Sequence, residues 1–133
     1  MSISQFIDFP NLSDKRGSLV SIDSSVGLPF DVKRIYYIFG TQKNVSRGHH
    51  AHKRLHQAAL CISGSCEMTI DNGDSQEKIL INSPYKAINL PPMLWHEMYN
   101  FSQDCILLVL ASDFYNEDDY IRDYKNFKKL LNQ

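Results

Sequence analysis

The 133-residue chain has almost no excess of charge of either sign, with 14 lysines and arginines against 15 aspartates and glutamates. A protein that binds nucleic acid in general is expected to carry a basic excess, so the composition argues against nucleic acid as a partner. Long hydrophobic runs are also missing, because the longest one, which begins at Cys105, is far too short to cross a bilayer. We therefore expect neither nucleic acid nor a membrane among the partners.

Cysteine is scarce, and its three copies cannot all pair with one another. Cys61, Cys66 and Cys105 each fall in an apolar run typical of a strand, which predicts buried free thiols in a reducing compartment. The first ten residues lack the basic segment and the apolar segment of a secretion signal. Together these observations predict a cytoplasmic protein.

Short strand patterns separated by turn residues fill most of the chain. About eight to ten segments are rich in β-branched or aromatic residues or alternate in polarity. Residues 10–17 are turn-rich and predict a connection, while turns at Ser63-Gly64 and Asn72-Gly73 each predict a hairpin. From Asp118 onwards apolar residues recur at three- and four-residue steps, which predicts an amphipathic helix with an acidic start. The whole pattern predicts one domain, residues 1–133, with an all-β barrel or sandwich and a C-terminal α-helix.

Four of the five histidines lie within eight residues. Residues two apart on a strand share a face, so His50 and His52 should point together into the barrel, with Ala51 facing the other side. Two neighbouring imidazoles can hold a metal ion, or they can divide acid and base work near neutral pH. His49 is expected to point away from His50 and to take no catalytic part, and His56 is expected to be structural.

Two segments resemble the motifs of the cupin superfamily, in which H-x-H, an acid and a glycine form the first motif and P-x-G-x-x-H-x-x-x-N the second. The matching residues are His50, His52, Gln57 and Gly64 in the first motif and Pro91, His96 and Asn100 in the second, with Met93 in place of the glycine. The resemblance implies a cupin fold, a double-stranded β-helix or jelly-roll barrel. Gln57 stands where metal-binding cupins commonly carry glutamate, although three imidazoles and an amide could still hold a divalent ion.

The segment RGHHAHK, from Arg47 to Lys53, resembles the R-G-x-H-A-H-K signature of the nucleotide-sugar 3,4-ketoisomerases. Other blocks, DKRGSLVSID, RIYYIFG and the long segment that follows Leu90, extend the resemblance from about Asp14 to Tyr124. It implies conversion of dTDP-4-keto-6-deoxyglucose into a dTDP-3-keto-6-deoxyhexose for deoxyaminosugar and surface-glycan biosynthesis, without metal or other cofactor. It also implies a homodimer that could exchange N-terminal strands, and the edge-like SQFIDF segment could pair with a partner sheet.

The chemistry of a ketoisomerase assigns roles to particular residues. The proton of C3 must be moved to C4, and the two oxygens must exchange a proton as well. The family's catalytic histidine falls on His50, and His52 is expected to serve the oxygens. Tyr36 is expected to orient or protonate a sugar oxygen, although a barrel-lining aromatic is an equally good interpretation.

The diphosphate of the substrate needs local cations, for which arginine offers paired donors. The candidates are Arg16, Arg34, Arg47 and Lys53, with His96 as a further substrate contact. At least two of the four cations are expected to face the pocket. Arg16 and His96 resemble the branch of the family whose product has the galacto configuration.

Three alternatives remain open from the residues alone. A metal-dependent cupin would use the histidines as ligands, and a 3,5-epimerase would act on the same 4-keto sugar. A non-catalytic sugar-binding cupin would bind such a ligand without turnover.

Overall fold

A computed structural model describes residues 2–133. The strands are β1 (Phe6–Asp8), β2 (Asn11–Asp14), β3 (Gly17–Val20), β4 (Arg34–Phe39), β5 (Arg47–His52), β6 (Gln57–Ser63), β7 (Cys66–Asp71), β8 (Gln76–Ile81), β9 (Lys86–Leu90), β10 (Trp95–Tyr99), β11 (Ile106–Ala111) and β12 (Tyr120–Ile121). Two 3₁₀ turns (Ser24–Val26 and Glu117–Asp119) and one helix, α1 (Tyr124–Leu131), complete the secondary structure. No helix within residues 2–133 is both long and apolar enough to span a membrane.

Two five-stranded antiparallel sheets form the body of the molecule, with strand orders β1-β9-β6-β11-β4 and β12-β5-β10-β7-β8. Side chains from both sheets meet between them, among them Ala59 and Leu107 from the first sheet and Met68 and Met98 from the second. The predicted all-β architecture with a C-terminal helix is therefore confirmed. The turn at Ser63-Gly64 joins two different sheets, so the hairpin predicted there is wrong, whereas the Asn72-Gly73 turn does connect the paired strands β7 and β8.

Strand β6 is apolar on both faces because each face covers a different part of the core. Ala59 and Cys61 face the space between the sheets. Ala58 and Leu60 face the opposite way and pack against Phe9 and other residues of a second cluster. Burial on both sides explains why this segment is a continuous apolar run rather than an alternating one.

The C-terminal helix begins six residues later than the sequence predicts, at Tyr124. The preceding residues form a 3₁₀ turn and the short strand β12, which pairs with β5 so that Tyr120 lies opposite His52 and Ile121 opposite Ala51. Ile121 and Phe127 are buried together against Ala51. Strand β12 and helix α1 both bury side chains against the same outer face of β5. Ile121 therefore fits the three- and four-residue spacing of the helix, and a two-residue strand is too short to show a periodicity of its own.

The predicted connection at residues 10–17 is wrong in part, because Asn11–Asp14 forms strand β2 and pairs with β3. This hairpin bonds to no other strand in the described chain. Leu12 and Leu19 are 61% and 57% exposed. An isolated two-stranded hairpin is at best marginally stable in water. By contrast β1, within the SQFIDF segment, pairs with β9 of its own chain.

A bulge in β5 sets the direction of the histidine side chains. The pairing of β5 with β10 shifts register next to His96, and Gly48 has a φ of 88°. A Cβ at Gly48 would lie 2.9 Å from the carbonyl oxygen of His96. Only glycine satisfies both the backbone conformation and the close approach of the neighbouring strand.

Substituting Gly48→Ala should lower the free energy of unfolding by more than Gly27→Ala does. Both glycines have a positive φ, 88° and 95°, but a Cβ at Gly27 meets nothing within 4 Å. Each alanine carries backbone strain of about 1–3 kcal/mol, and only Gly48→Ala adds a clash with β10. Urea denaturation of both variants measures the difference, and equal losses would show that the close approach has no energetic weight.

Candidate active site

Three histidine rings lie together between the sheets. His50 and His52 project from β5 to the same side, with ring centroids 4.9 Å apart, and His96 on the paired strand β10 lies 4.7 Å from His50. Ala51 is completely buried on the opposite face, where it packs under the C-terminal helix. The orientation predicted for His50, His52 and Ala51 from strand alternation is therefore confirmed.

Burial keeps these imidazoles uncharged. Loss of contact with water lowers the pKa of His50, and it lowers the pKa values of His52 and His96 to about 3 each. The Nδ1 of His50 lies 3.0 Å from the carbonyl oxygen of Gly48 and donates to it, since a carbonyl can only accept. The buried Nε2 of His50 has no protein partner. His50 therefore presents a free lone pair, which is the form of a histidine that can act as a base.

Asp119 is a site residue that the sequence analysis missed. It is 7% exposed, and its carboxylate accepts hydrogen bonds from the backbone N–H groups of Arg54 and Leu55. One carboxylate oxygen lies 3.4 Å from Nδ1 of His52. The carboxylate fixes the chain after β5 and can stabilise a positive charge on His52. The acidic run around Asp119 is typical of the start of a helix, so the local sequence does not indicate this contact with His52.

Tyr36 on β4 faces the same space, and its hydroxyl is held by Gln57. The amide nitrogen of Gln57 donates to the Tyr36 oxygen at 2.6 Å. Burial raises the pKa of Tyr36 to about 12, so the hydroxyl keeps its proton. Because the amide occupies a lone pair of the oxygen, the O–H remains available to donate to another acceptor. The matched motif marked Gln57 only as an altered metal-ligand position and did not indicate this contact.

An open cleft of about 470 Å³ lies beside these groups. Its lining includes Arg34, Tyr36, Arg47, His50, Tyr120 and Arg122. This volume falls in the range of small-ligand sites. One buried nitrogen of the Arg34 guanidinium, Nη2, has no partner, and the Arg34 head group lies 5.1 Å from the ring centroid of Tyr36. Arg122, which the sequence analysis also missed, stacks on Tyr120 at 4.2 Å and pairs with Glu117 at 2.7 Å.

Two of the four predicted cations, Arg34 and Arg47, face the cleft, as expected for at least two of them. Lys53 does not: β5 ends at His52, and the exposed Lys53 side chain lies outside the cleft lining. Arg16 is in the turn of the exposed hairpin, where it pairs with Asp14 at 2.6 Å and is 88% exposed. The fold does not bring Arg16 to the cleft of its own chain.

The remaining histidines lie at the edge of the site or outside it. His96 is 3% exposed and lies next to His50, outside the cleft lining, and its contact with the substrate stays a prediction. His49, with a φ of 58°, lies at the rim of the cleft because the bulge interrupts strict alternation, and Nε2 of its ring lies 2.9 Å from the Ser46 hydroxyl. His56 packs beside Phe30, outside the cleft, consistent with a structural role.

The histidine cluster does not form a closed set of metal ligands. A metal site needs at least three His, Cys, Asp or Glu side chains whose ligand atoms lie close together. Within residues 2–133, the three cysteines are the group whose ligand atoms all lie within 4.8 Å of one another, and the histidines form no such group. The amide of Gln57, the fourth residue of the matched motif, is already bonded to Tyr36. Chemistry without a metal at the histidines stays a prediction.

Sequence comparison places the chain among sugar-nucleotide enzymes. Residues 2–132 match the family model described as FdtA: WxcM-like, C-terminal. A TDP-4-oxo-6-deoxy-α-D-glucose-3,4-oxoisomerase from Aneurinibacillus thermoaerophilus is 48% identical over 125 residues, which cover 94% of this chain and 90% of that protein.

Solved structures agree with this match. The sugar 3,4-ketoisomerase QdtA from Thermoanaerobacterium thermosaccharolyticum in complex with TDP has a TM-score of 0.93 and 39% identity, covering 97% of this chain and 94% of its own. A 3,4-ketoisomerase from Helicobacter canadensis has a TM-score of 0.94 and 41% identity over the full length of both chains. The 3,5-epimerase RmlC from Legionella pneumophila shares the cupin fold alone. It is 15% identical, with a TM-score of 0.72 over 87% of this chain and 70% of its own. The relatives from Aneurinibacillus, Thermoanaerobacterium and Helicobacter are 3,4-oxo- or 3,4-ketoisomerases, and the chain belongs to the FdtA, WxcM-like family.

Proposed function

We propose that the protein is a TDP-4-keto-6-deoxyglucose 3,4-ketoisomerase that moves the sugar carbonyl from C4 to C3. The observation that carries the proposal is the uncharged His50, whose unpartnered Nε2 lies in the cleft region beside His52 and the Tyr36 hydroxyl. Among the relatives, QdtA has been solved with TDP, and a mutant of QdtA with asparagine in place of a histidine has been solved with TDP-4-keto-6-deoxyglucose.

The reaction needs two carbon-bound proton transfers and two oxygen-bound ones. Nε2 of His50 removes the proton from C3, and the electron pair forms the C3–C4 double bond while O4 takes a proton from Tyr36. The resulting enediol collapses when the imidazolium of His50 returns the proton to C4 and O3 loses its proton to His52. A proton passed from His52 to Tyr36 restores both groups, so no oxidant or reductant is required.

The charges around the site match these steps. The Arg34 guanidinium, 5.1 Å from the Tyr36 ring centroid, stabilises the phenolate formed in the first step. The Asp119 carboxylate, 3.4 Å from His52, stabilises the imidazolium formed in the second. His52 and Asp119 are buried and Arg34 and Tyr36 are half-buried, which strengthens both interactions relative to the same pairs in water. Arg34, Arg47 and Arg122 then supply the local positive charge that a diphosphate requires.

We further propose a homodimer in which the β2–β3 hairpin of one chain covers the cleft of the other. The hairpin pairs with no other strand in the described chain, exposes Leu12 and Leu19, and holds Arg16 away from its own cleft. Docking on a partner would bury the two leucines and add a guanidinium to the diphosphate site. A galacto-configured product, a cytoplasmic location and a role in surface-glycan synthesis stay predictions from the sequence.

Incubation with TDP-4-keto-6-deoxyglucose in deuterated water should give a TDP-3-keto-6-deoxyhexose, identified by NMR from the shift of the carbonyl from C4 to C3. In a parallel reaction in ordinary water, the coupling between the C4 and C5 protons of the product reports its configuration. Turnover should persist after treatment with a strong chelator. Deuterium at C3 and C5 with the ketone still at C4 would show a 3,5-epimerase, and binding without turnover would show a sugar-binding protein.

Substituting His50→Asn should reduce kcat by about 10²–10⁴-fold, because an amide cannot accept the C3 proton at neutral pH. Binding of TDP should change little, since the cations of the cleft are untouched. His56→Asn is the matched control, because His56 lies outside the cleft beside Phe30 and should retain turnover. Steady-state kinetics and calorimetric titration with TDP measure both effects. Near-normal turnover of His50→Asn would remove His50 from the mechanism.

Mixing two impaired variants tests the dimer. At substrate concentrations well below KM, Arg16→Ala should lower the activity because it raises KM, and His50→Asn should lower turnover by about 10²–10⁴-fold. If the hairpin acts in the partner's cleft, a mixed dimer contains one intact site, so co-expression should restore about a quarter of the wild-type activity per chain under random pairing. No gain over the separate variants, or an Arg16→Ala enzyme with an unchanged KM, would contradict the exchanged arrangement.

A further inference from the structure

The three cysteines of the chain converge on one point in the core. Sγ of Cys61 lies 3.9 Å from that of Cys66 and 3.7 Å from that of Cys105, and all three sulfurs lie within 4.8 Å of one another. All three residues are buried, with at most 2% of their surface exposed. We call these three residues the cysteine cluster. They come from β6, from the start of β7 and from the residue just before β11.

The cysteine cluster is separate from the candidate active site. Gln57, at the start of β6, contacts Tyr36. Cys61 lies four residues further along the same strand, a distance of about 13 Å for an extended chain. Apolar side chains of the shared core, including Ala59 on β6, occupy the space between the sheets. No step of the proposed isomerisation uses the thiols.

We propose that the cysteine cluster is a binding site for one atom of trivalent arsenic, taken up as arsenous acid and held by all three sulfurs. We take arsenic–sulfur bonds of ~2.3 Å, the length found in other thiolate complexes. With S–As–S angles between a right angle and the tetrahedral value, such bonds place the sulfurs about 3.3–3.8 Å apart. The two separations from Cys61, 3.7 and 3.9 Å, are close to this range, and the third pair, within 4.8 Å, requires a movement of about 1 Å or less.

Charge balance favours arsenic over metal cations at this place. Arsenous acid and three thiols condense to an As(SR)₃ group and three molecules of water, so three As–O and three S–H bonds break and three As–S and three O–H bonds form. Nothing is oxidised or reduced. Both the entering molecule and the product are uncharged, whereas a monovalent copper ion on three thiolates would leave two negative charges in an apolar core, which is costly.

The number of ligands also separates the candidates. Zinc takes four ligands in structural sites, and within residues 2–133 no fourth His, Cys, Asp or Glu joins the cysteine cluster. Trivalent arsenic needs only three, because its lone pair fills the remaining position. Burial raises the pKa of Cys105 to about 12, and the contact with the Cys66 sulfur, followed by burial, raises the pKa of Cys61, so these two thiols carry protons that the condensation passes to water.

Two turns next to the cysteine cluster offer a route from solvent. Cys66 directly follows the Gly64 turn, and Cys105 directly follows the turn that contains Ser102. The turns are joined by the backbone N–H of Ser65, which donates to the Ser102 hydroxyl at 2.9 Å, and by the reciprocal Ser102 N–H to the Ser65 carbonyl at 2.8 Å. Separating these turns requires breaking few bonds, and a small neutral molecule can then enter without losing the hydration of a charge.

Titration of the reduced, folded protein with arsenite tests the proposal. Native mass spectrometry should show one arsenic atom gained and three hydrogens lost per chain, and X-ray absorption should show three sulfur neighbours. Zinc in place of arsenite should not be retained through buffer exchange. An adduct with two sulfurs, an adduct that forms only after denaturation, or stoichiometric retention of zinc would each overturn the proposal.

Variants assign the sulfurs. Cys61→Ala and Cys105→Ser should each weaken arsenic binding by about 10²-fold or more, because one intramolecular attachment is lost. Ile81→Val, which alters the same core but leaves every thiol, is the matched control and should bind as the wild type does. Circular dichroism confirms the fold of each variant. If neither cysteine variant folds, the sulfur count on the wild-type protein decides, and unchanged affinity in a folded cysteine variant would overturn the three-sulfur site.

Discussion

Desolvation of the three imidazoles, nearly complete for His52 and His96 and partial for His50, is the constraint on which the site depends. The ring centroids are 4.7–6.4 Å apart for the three pairs formed by His50, His52 and His96. Three positive charges at that spacing would repel one another strongly where little water screens them. Burial removes the conflict by keeping the rings neutral. It also leaves His50 uncharged at neutral pH, so the same desolvation that permits the packing of the rings gives His50 the protonation state that the proposed proton transfer needs.

The backbone has to place these rings accurately for burial to be useful. The bulge at Gly48 lets β5 approach β10 closely, and the carbonyl of Gly48 then fixes the tautomer of His50. On the outer face of the same strand, Ala51 is covered by Ile121 and Phe127. The C-terminal segment is thus part of the site, since it closes β5 from behind and brings Asp119 to His52.

The part of this arrangement that follows from local pattern could be predicted. Strand alternation places His50 and His52 on one face, and turn chemistry and apolar runs predict an all-β fold. The roles of Gln57 and Asp119 could not be predicted, because their partners lie 21 and 67 residues away and nothing local marks the pairing. The late start of α1 was missed for a similar reason, since β12 exists only because β5 offers it an edge. The β2–β3 hairpin has turn-forming residues and no buried face in its own chain, so its sequence looks like a connection.

The amide at position 57 fits the proposed proton transfer in a cupin barrel that carries three histidines. A glutamate there would be buried beside the Tyr36 hydroxyl and would accept its proton in a hydrogen bond, which would turn the O–H away from the cleft. Gln57 instead donates to the Tyr36 oxygen, so the proton of Tyr36 stays free for a sugar oxygen. The same replacement removes the anionic ligand that would help to hold a divalent cation near the imidazoles. An amide in place of a carboxylate at position 57 therefore suits the proposed acid role of Tyr36, and it offers a divalent cation no anionic ligand.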